Sequence, residues 1–208
     1  MRIFSCIFVL MLPLICAAQQ FSVGFIGGAP AQPPLGRSAT KLPFVIGPTL
    51  SFGSFAGLSL ETGVLFHRLG VTDQSYTFES LDGAIVSGTD RWKARAIEIP
   101  LLLKYHFLNK SRTWRPFLSA GPTLRRTSID HTGFRTTLSQ NPSSTTTSEL
   151  RATSETVKWN LDPAIGAGIS FRAGRLHIEP EVRYSYWGAG KHEVVRQNQV
   201  HFLFGLRF

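Results

Sequence analysis

The chain of 208 residues carries a formal net charge of +9 and has two cysteines, Cys6 and Cys16, both near its start. Its basic residues are scattered rather than clustered, so the charge does not predict a nucleic-acid partner. It favours either anionic lipid headgroups or polysaccharide as partners, or pairing of many of these cations with carboxylates inside the fold. No stretch after the N-terminal segment reaches the ~18–20 apolar residues that a membrane helix requires.

The N-terminal segment has the organisation of a secretory signal peptide. Arg2 precedes an apolar run over residues 3–15, and the small residues Ala17 and Ala18 follow Cys16. This order predicts cleavage after Ala18. The residues before Cys16 fit a lipoprotein signal poorly, so we expect a signal peptide at residues 1–18 and one domain at residues 19–208 that contains no thiol.

Most of the remaining chain alternates between apolar and polar residues, which is the pattern of β-strands. The segments approach or exceed the ~9–11 residues that a tilted strand needs to cross a bilayer. An even number of such strands closes into a barrel that leaves no unpaired edge in lipid. We therefore predict an all-β fold, an eight-stranded antiparallel up-and-down transmembrane β-barrel. Its strands are predicted to begin near Phe21, Phe44, Leu58, Ala94, Pro116, Trp159, Leu176 and Gln199.

Alternation alone does not say which strand face lies inside the barrel. In the fourth segment Ile97, Leu101 and Tyr105 share one face, and Glu98 and Lys104 share the other. A soluble lipocalin-like barrel has the same period with its apolar face inside. Glycines favour a polar lumen, because a narrow lumen needs small residues beside long charged ones. The glycines on the polar face are Gly24, Gly28, Gly47, Gly63, Gly121, Gly166, Gly168 and Gly205.

The predicted connections alternate between long and short, as in outer-membrane barrels with long external loops and tight periplasmic turns. The long connections are predicted at residues 28–42, 69–93, 126–158 and 188–198, and the short ones at residues 53–57, 108–114 and 173–174. The longest contains a polar low-complexity stretch over residues 136–148, which we expect to be unstructured.

Five prolines lie inside the predicted strands, where each removes a backbone donor from the ladder. A closed barrel has no edge strand to accept them, so we predict β-bulges or local kinks at several of these positions. The prolines are Pro48, Pro100, Pro122, Pro163 and Pro180.

Charged residues on the polar faces form the candidate site. Because unpaired charge inside a filled barrel is costly, the mixture of signs predicts a structural ion-pair network in the lumen. A metal site at His177, Glu179 and Glu181 is the alternative, but same-face neighbours on one strand lie about 6.5–7 Å apart. We therefore expect neither a metal nor a cofactor. The predicted network comprises Glu61, Glu98, Lys104, Asp162, His177, Glu179, Glu181, Arg183 and Arg207, with Arg125 and Arg172 as further candidates.

A lipid-modifying hydrolase is the enzyme hypothesis. A catalytic serine needs its base within ~2.6–3.2 Å, and no nucleophile-elbow motif indicates such a pair. We therefore expect no catalytic residue. The histidines and serines that share polar faces are His67, His106, His177, His201, Ser59 and Ser185.

Aromatic residues cluster near the predicted strand ends, where amphipathic rings favour the membrane interface. A sugar-binding platform is the competing interpretation, and it requires exposed aromatics beyond the membrane boundary. We predict an interfacial girdle for most of the set and regard Trp187 as its least secure member. The set is Trp92, Tyr105, Phe107, Trp114, Phe117, Trp159, Tyr184, Tyr186 and Trp187.

Three strings are distinctive: EIPLLLKYHF at residues 98–107, RPFLSAGPTL at residues 115–124 and AIGAGISF at residues 164–171. Together with the terminal strand they resemble the PorT-like outer-membrane β-barrel family of Bacteroidota. This resemblance implies a small OmpA/OmpX-type barrel in the cell outer membrane. It also implies insertion by the outer-membrane assembly machinery, which reads the terminal strand ending at Phe208. One branch of that family takes part in a secretion and gliding system, whereas most members have no assigned activity.

An eight-stranded barrel has an interior just wide enough for side chains to fill, so we do not expect a diffusion pore. We expect a non-enzymatic outer-membrane protein with a filled lumen and a structural or loop-mediated binding role. Its expected partners are outer-membrane lipid and, at the external loops, an envelope protein or polysaccharide. The alternatives are an accessory of a PorT-type secretion system and a lipid-modifying enzyme.

Overall fold

The computed structural model describes residues 21–32, 42–79, 85–107, 113–138, 145–156, 159–188 and 195–208. The predicted signal peptide lies outside these residues. Within them, no helix is long and apolar enough to cross a membrane. Ten β-strands of the described chain form one antiparallel sheet: β1 Phe21–Pro30, β2 Phe44–Phe55, β3 Leu58–Gly63, β4 Leu65–Glu79, β5 Ile85–His106, β6 Trp114–Leu138, β7 Thr145–Thr156, β8 Asn160–Ala173, β9 Leu176–Tyr186 and β10 Asn198–Arg207.

The sheet closes into a barrel because its first and last strands pair with each other. Gly24 of β1 lies opposite Thr49 of β2 on one side and Arg207 of β10 on the other. Strands β3 and β4 run in line along β5, and β7 and β8 run in line along β6. The ten segments therefore form eight strands around the barrel, and the predicted eight-stranded antiparallel barrel is confirmed.

The break between β3 and β4 falls at Val64 and follows from a proline on the neighbouring strand. The register places Val64 beside Pro48, whose backbone oxygen accepts the Val64 N–H at 3.1 Å. Proline has no N–H to return, so the ladder is interrupted there without a change of register. Pro122 and Pro163 are paired directly with each other, again without a shift.

Register shifts occur elsewhere in the described strands, between Phe52 and Phe55, between Arg68 and Gly70, and between Thr132 and Gly133. The prediction of β-bulges at the strand prolines is therefore wrong, whereas that of local kinks stays a prediction. Gly70 has φ +117°, a left-handed conformation that glycine adopts without steric cost and that a bulge of this kind uses.

The two strand faces have the predicted orientation. Phe44, Leu101 and Phe204 are 37%, 48% and 51% exposed on the outside of the barrel, whereas Glu98 and Arg183 are 1% and 2% exposed in its interior. Apolar side chains on the outside and buried charges within reverse the arrangement of a soluble barrel. This orientation is that of a strand in lipid.

The short turns lie at one end of the barrel. The hairpin between β8 and β9 closes at the Ala173–Leu176 pair, and Gly174 begins its two-residue turn with φ +65°. A positive φ at the first turn position matches the right-handed twist of the flanking strands. We call this end the short-turn end and the opposite end the long-loop end.

The long connections are shorter than predicted because the hairpins continue as paired strands. β4 and β5 remain in register as far as Glu79 and Ile85, within the predicted connection at residues 69–93. β6 runs to Leu138 and pairs with β7, within the predicted connection at residues 126–158. The expectation of an unstructured stretch at residues 136–148 is therefore wrong for residues 136–138 and 145–148, and residues 139–144 lie outside the described chain.

Candidate functional sites: the lumen and the extended sheet

The centre of the lumen holds a group of buried ion pairs around Lys104. Its Nζ lies 2.6 Å from Glu61 Oε2, 3.4 Å from Glu179 Oε2 and 3.5 Å from Glu181 Oε2. The three carboxylates reach it from β3 and β9, while Lys104 projects from β5. One lysine therefore joins strands that are distant in the sequence.

Two arginines complete this group. Arg183 donates from Nε to Glu181 Oε1 at 2.8 Å, and its Nη2 lies 3.3 Å from Glu61 Oε1. Arg207 Nη2 lies 2.7 Å from Glu179 Oε1. The formal charges of Lys104, Arg183 and Arg207 therefore balance those of the three glutamates. We call these six residues the lumen network.

Hydroxyl groups satisfy further acceptor positions of the same carboxylates. Ser119 donates to Glu181 Oε1 and Ser170 donates to Glu179 Oε1, both at 3.0 Å. Gly166 makes room for this arrangement, since a Cβ at that position would overlap Glu181 and Ser119. Buried charges that are paired and also hydrogen-bonded carry much less of the desolvation penalty than isolated ones.

Three predicted residues lie outside the lumen network. Asp162 pairs with Arg125, whose Nη2 lies 2.8 Å from Asp162 Oδ2. Glu98 Oε2 lies 3.1 Å from His67 Nε2. His177 meets no carboxylate at salt-bridge distance among the described residues, and its Nδ1 lies 3.4 Å from Ser170 Oγ.

The partners of Asp162 and Glu98 were only partly visible in the sequence. Arg125 was a further candidate for the network, and His67 was a histidine on a polar face. The pairing register brings them together, because β6 lies between β5 and β8 and places Thr123 opposite Asp162. Without the register, alternation identifies these side chains as inward-facing but does not select their partners.

A second group closes the lumen toward the long-loop end. Trp187 is 2% exposed and packs with Leu69, Ala94 and Ile129. The Arg125 guanidinium lies 4.3 Å from the centre of the Trp187 ring, a cation–π distance. Trp187 therefore lies inside the barrel, and its prediction as part of the interfacial girdle is wrong.

Two other aromatic predictions also change. Phe117 is 1% exposed and lies in the lumen, where Lys104 Nζ is 4.6 Å from its ring centre. Trp92 stacks on His131 at 3.9 Å between ring centres, beyond the apolar band. Tyr105 and Trp114 are exposed on the barrel exterior, as a girdle requires.

The lumen is filled around the lumen network. A cavity of about 10 Å³ lies among Glu61, Lys104, Glu179, Glu181 and Arg207. That volume is about the minimum needed for one water molecule. The side chains of the lumen network thus occupy the space that a channel would need.

The hydrolase hypothesis names serines and histidines that the structure does not bring together. Ser59 Oγ and Ser185 Oγ are buried, and neither atom donates or accepts a hydrogen bond among the described residues. Ser170 and His177 meet at 3.4 Å, but Ser170 donates its hydroxyl to Glu179. Within the described part of the chain, no group of three acidic, histidine or cysteine side chains is arranged to hold a metal ion.

Beyond the barrel, four strands continue as what we call the extended sheet: residues 71–79 of β4, 85–93 of β5, 128–138 of β6 and all of β7. Tyr76 and Phe78 stack at 6.1 Å between ring centres and are exposed. Gly88 faces Tyr76, and a Cβ at this position would overlap the tyrosine ring. The ring therefore lies flat across the neighbouring strand.

Charged residues of the extended sheet form pairs across strands. Arg91 donates to Asp73 at 2.8 Å, and this hydrogen bond lowers the pKa of the Asp73 carboxyl from its ordinary value. This pair stands in solvent, unlike those of the lumen. His131 Nε2 lies 3.3 Å from Asp90 Oδ1, and this nitrogen is buried.

A closed antiparallel barrel with an apolar exterior and a charged, filled interior defines a transmembrane β-barrel of the bacterial outer membrane. Residues 18–188 match the family described as outer membrane protein beta-barrel domain, and the chain belongs to this family. The long-loop end is then the external end.

Solved structures share the architecture at low identity. Neisserial surface protein A is 15% identical with a TM-score of 0.53, and the alignment covers 90% of this chain and 94% of that one. The N-terminal β-barrel domain of Pseudomonas aeruginosa OprF is 12% identical, with coverages of 90% and 95% and a TM-score of 0.42. Ail of Yersinia pestis is 14% identical, with coverages of 90% and 96% and a TM-score of 0.35. The first of these supports the fold, and the comparison with curated proteins gives no match.

Proposed function

We propose that this chain is a non-enzymatic outer-membrane protein that binds an envelope polysaccharide or a partner protein through the extended sheet. The observation that carries the proposal is the pairing of four strands beyond the apolar band, up to Glu79 and Ile85 on one hairpin. A barrel that served only as a membrane filler would have no need for so long an ordered projection. Function of outer-surface proteins commonly resides in such segments on a rigid scaffold.

The exposed rings favour a sugar ligand over a purely charged one. Tyr76 and Phe78 are stacked and exposed outside the membrane. A sugar-binding platform requires exposed aromatic rings beyond the membrane boundary, whereas an interfacial girdle does not. Flat aromatic surfaces with a polar edge suit ligands that combine apolar and hydroxyl groups.

The test replaces residues 76–88 by Asn-Gly, which leaves the Ser75–Thr89 pair to close a short hairpin. We expect the variant to fold, as shown by different electrophoretic migration with and without boiling, but to lose retention on immobilised polysaccharide from the cell's own envelope. Arg175→Ser at the short-turn end is the control and should bind normally. Retention of polysaccharide and of all partner proteins by the shortened variant would disprove the proposal.

A second proposal rests on the resemblance of residues 98–107 and 115–124 to PorT-like barrels, which favours a source in Bacteroidota and an accessory role in secretion. Deletion of the gene should then abolish export of specific proteins. A lipid-modifying enzyme predicts instead a change in lipid A that a single His177→Ala substitution removes.

Export and assembly complete the proposal. We propose that residues 1–18 are removed, so that N-terminal sequencing of the membrane-extracted protein should begin at Gln19. Phe208 is exposed, and its N–H donates to Val23 at the barrel seam. The assembly machinery is proposed to read this terminal residue, and removal of Phe208 should reduce the amount of folded protein in cells but not in detergent refolding.

A further inference from the structure

Three arginines stand together on the outside of the barrel, just beyond its apolar band. Arg68 of β4 lies directly opposite Arg95 of β5. Arg126 of β6 lies two residues nearer the barrel centre, opposite Ile97. Opposed residues of an antiparallel pair share a face, and alternation places this face outward, away from buried Ala94 and Ala96. We call Arg68, Arg95 and Arg126 the arginine cluster.

Among the described residues, the arginine cluster is only partly neutralised. Like charges directly opposite each other destabilise a pair of strands. Within the described residues Asp130 is the only carboxylate in contact with the cluster, at 3.1 Å from Arg95, and Ser154 also donates to it. One carboxylate therefore faces three guanidinium groups, and the repulsion among these groups opposes folding.

Apolar residues lie beneath Arg68 and Arg95 and beside Arg126. Phe66 and Ile97 face each other two residues closer to the barrel centre than Arg68 and Arg95, in the same register row as Arg126, and both are exposed on the lipid side. A surface cavity of about 330 Å³ is lined by Phe66, Ile97, Arg95, Arg126 and Ser128. The cavity thus has an apolar floor that continues into the hydrocarbon band and a cationic rim at the headgroup level.

We propose that the arginine cluster binds the phosphate of a phosphorylated glycolipid in the outer leaflet. Guanidinium groups present a planar fork that matches phosphate oxygens in bidentate geometry. The anion offsets the repulsion between Arg68 and Arg95, while acyl chains of the same lipid cover Phe66 and Ile97. A free phosphate would use only the rim, so the apolar floor favours a lipid.

The test compares the wild-type barrel with Arg68→Gln/Arg126→Gln in a zwitterionic detergent. The probes are bisphosphorylated lipid A, the same lipid with both phosphates removed, and inorganic phosphate. Native mass spectrometry measures retention of each. The control is Arg172→Gln/Arg175→Gln, which removes the same charge at the short-turn end, where Arg172 is exposed and donates to the Gly174 backbone oxygen instead of joining the lumen network.

We expect the wild-type protein and the control to retain bisphosphorylated lipid A at least about tenfold more strongly than the cluster variant, the scale of removing two cations near an anionic surface. The wild-type protein should retain the phosphate-free lipid and inorganic phosphate poorly. Equal retention of lipid A by the cluster variant, or equal retention of the phosphate-free lipid, overturns the proposal. Retention of inorganic phosphate as strong as that of lipid A overturns the assignment to lipid.

Thermal unfolding separates binding from a folding defect. Without lipid A the cluster variant should unfold at the wild-type temperature or above it, because the repulsion between opposed arginines is relieved. Added lipid A should raise the unfolding temperature of the wild-type protein alone. A variant that is less stable without lipid A would show that the arginines are structural, and would contradict the proposal.

Discussion

The lumen network and the extended sheet both place acids opposite bases, but in opposite surroundings. The side chains of Lys104 and Glu61 are 2% and 4% exposed, whereas those of Arg91 and Asp73 are 58% and 28% exposed. In the lumen Lys104 meets three carboxylates, Arg183 two and Arg207 one, and these cations cannot be fully hydrated if a partner is lost. On the extended sheet water replaces a lost partner, so surface residues are free to serve recognition.

Substitution of a lumen cation should lower the free energy of unfolding more than any other change that we consider. Lys104→Met leaves Glu61, Glu179 and Glu181 with two arginines, and an uncompensated buried charge costs about 3–5 kcal/mol. The free energy of unfolding in detergent, measured with urea, should fall by this amount. Lys93→Met, an exposed lysine further along the same strand, should leave it nearly unchanged. The opposite ranking of the two variants would show that the lumen network does not stabilise the barrel.

Removal of the ring that closes the lumen should have the next largest effect. Trp187→Ala deletes packing against Leu69 and Ile129 and exposes Arg125, with an expected loss of about 3 kcal/mol. Trp114→Ala, on the exterior, is the matched control and should cost clearly less. Similar losses of unfolding free energy for both variants would argue against Trp187 as a lumen closure.

Glycines of the lumen and of the lipid face should differ in the same way. A Cβ at Gly121 would overlap the backbone oxygen of Leu101, which cannot move without distorting the strand. Gly121→Ala should therefore cost about 1–3 kcal/mol of unfolding free energy, as overpacking does. At Gly27 the nearest atom is 3.9 Å from an added Cβ, so Gly27→Ala should be tolerated. A tolerated Gly121→Ala would mean that β5 lies further from β6 at this position than the structure shows.

The smallest effect is expected on the extended sheet. Arg91→Gln removes an exposed pair, and we expect only a small decrease in the unfolding midpoint near neutral pH. The Arg91 hydrogen bond lowers the pKa of Asp73, so its contribution is present above the ordinary carboxyl pKa and lost as pH falls. A titration of stability should therefore distinguish the variant from wild type least at acidic pH. A large loss of stability at neutral pH would show that this exposed pair stabilises the fold as strongly as the pairs of the lumen network do.

Alternation predicted the barrel strands well where one strand face contacts lipid and the other faces the lumen. The starts near Phe44, Leu58 and Leu176 coincide with β2, β3 and β9. It failed beyond the apolar band, where residues 74–79 of β4 are exposed on both faces and no physical pressure enforces a period of two. The extended sheet was therefore read as loop.

Aromatic residues show a second limit of the sequence. Residue type alone favours the membrane interface for Trp187, but Trp187 stands at the next position of the β9 face that carries Glu181, Arg183 and Ser185, so alternation assigns it to the lumen. The Trp187 N–H is bonded to the Gln197 backbone oxygen, and Val195 packs nearby. These contacts with the segment before β10 keep the ring on the lumen face just past the end of β9.

The sequence by itself determined the barrel, the number of its strands and which strand face lies outside. The reason is that side-chain chemistry must match lipid on one face and a narrow interior on the other. The tertiary structure decided which charges become partners and which cations lack one. Partner choice depends on the register between strands that are far apart in the chain, as with Lys104 and Glu179. The same register sets Arg68 against Arg95, a juxtaposition that a reading along the chain does not reveal.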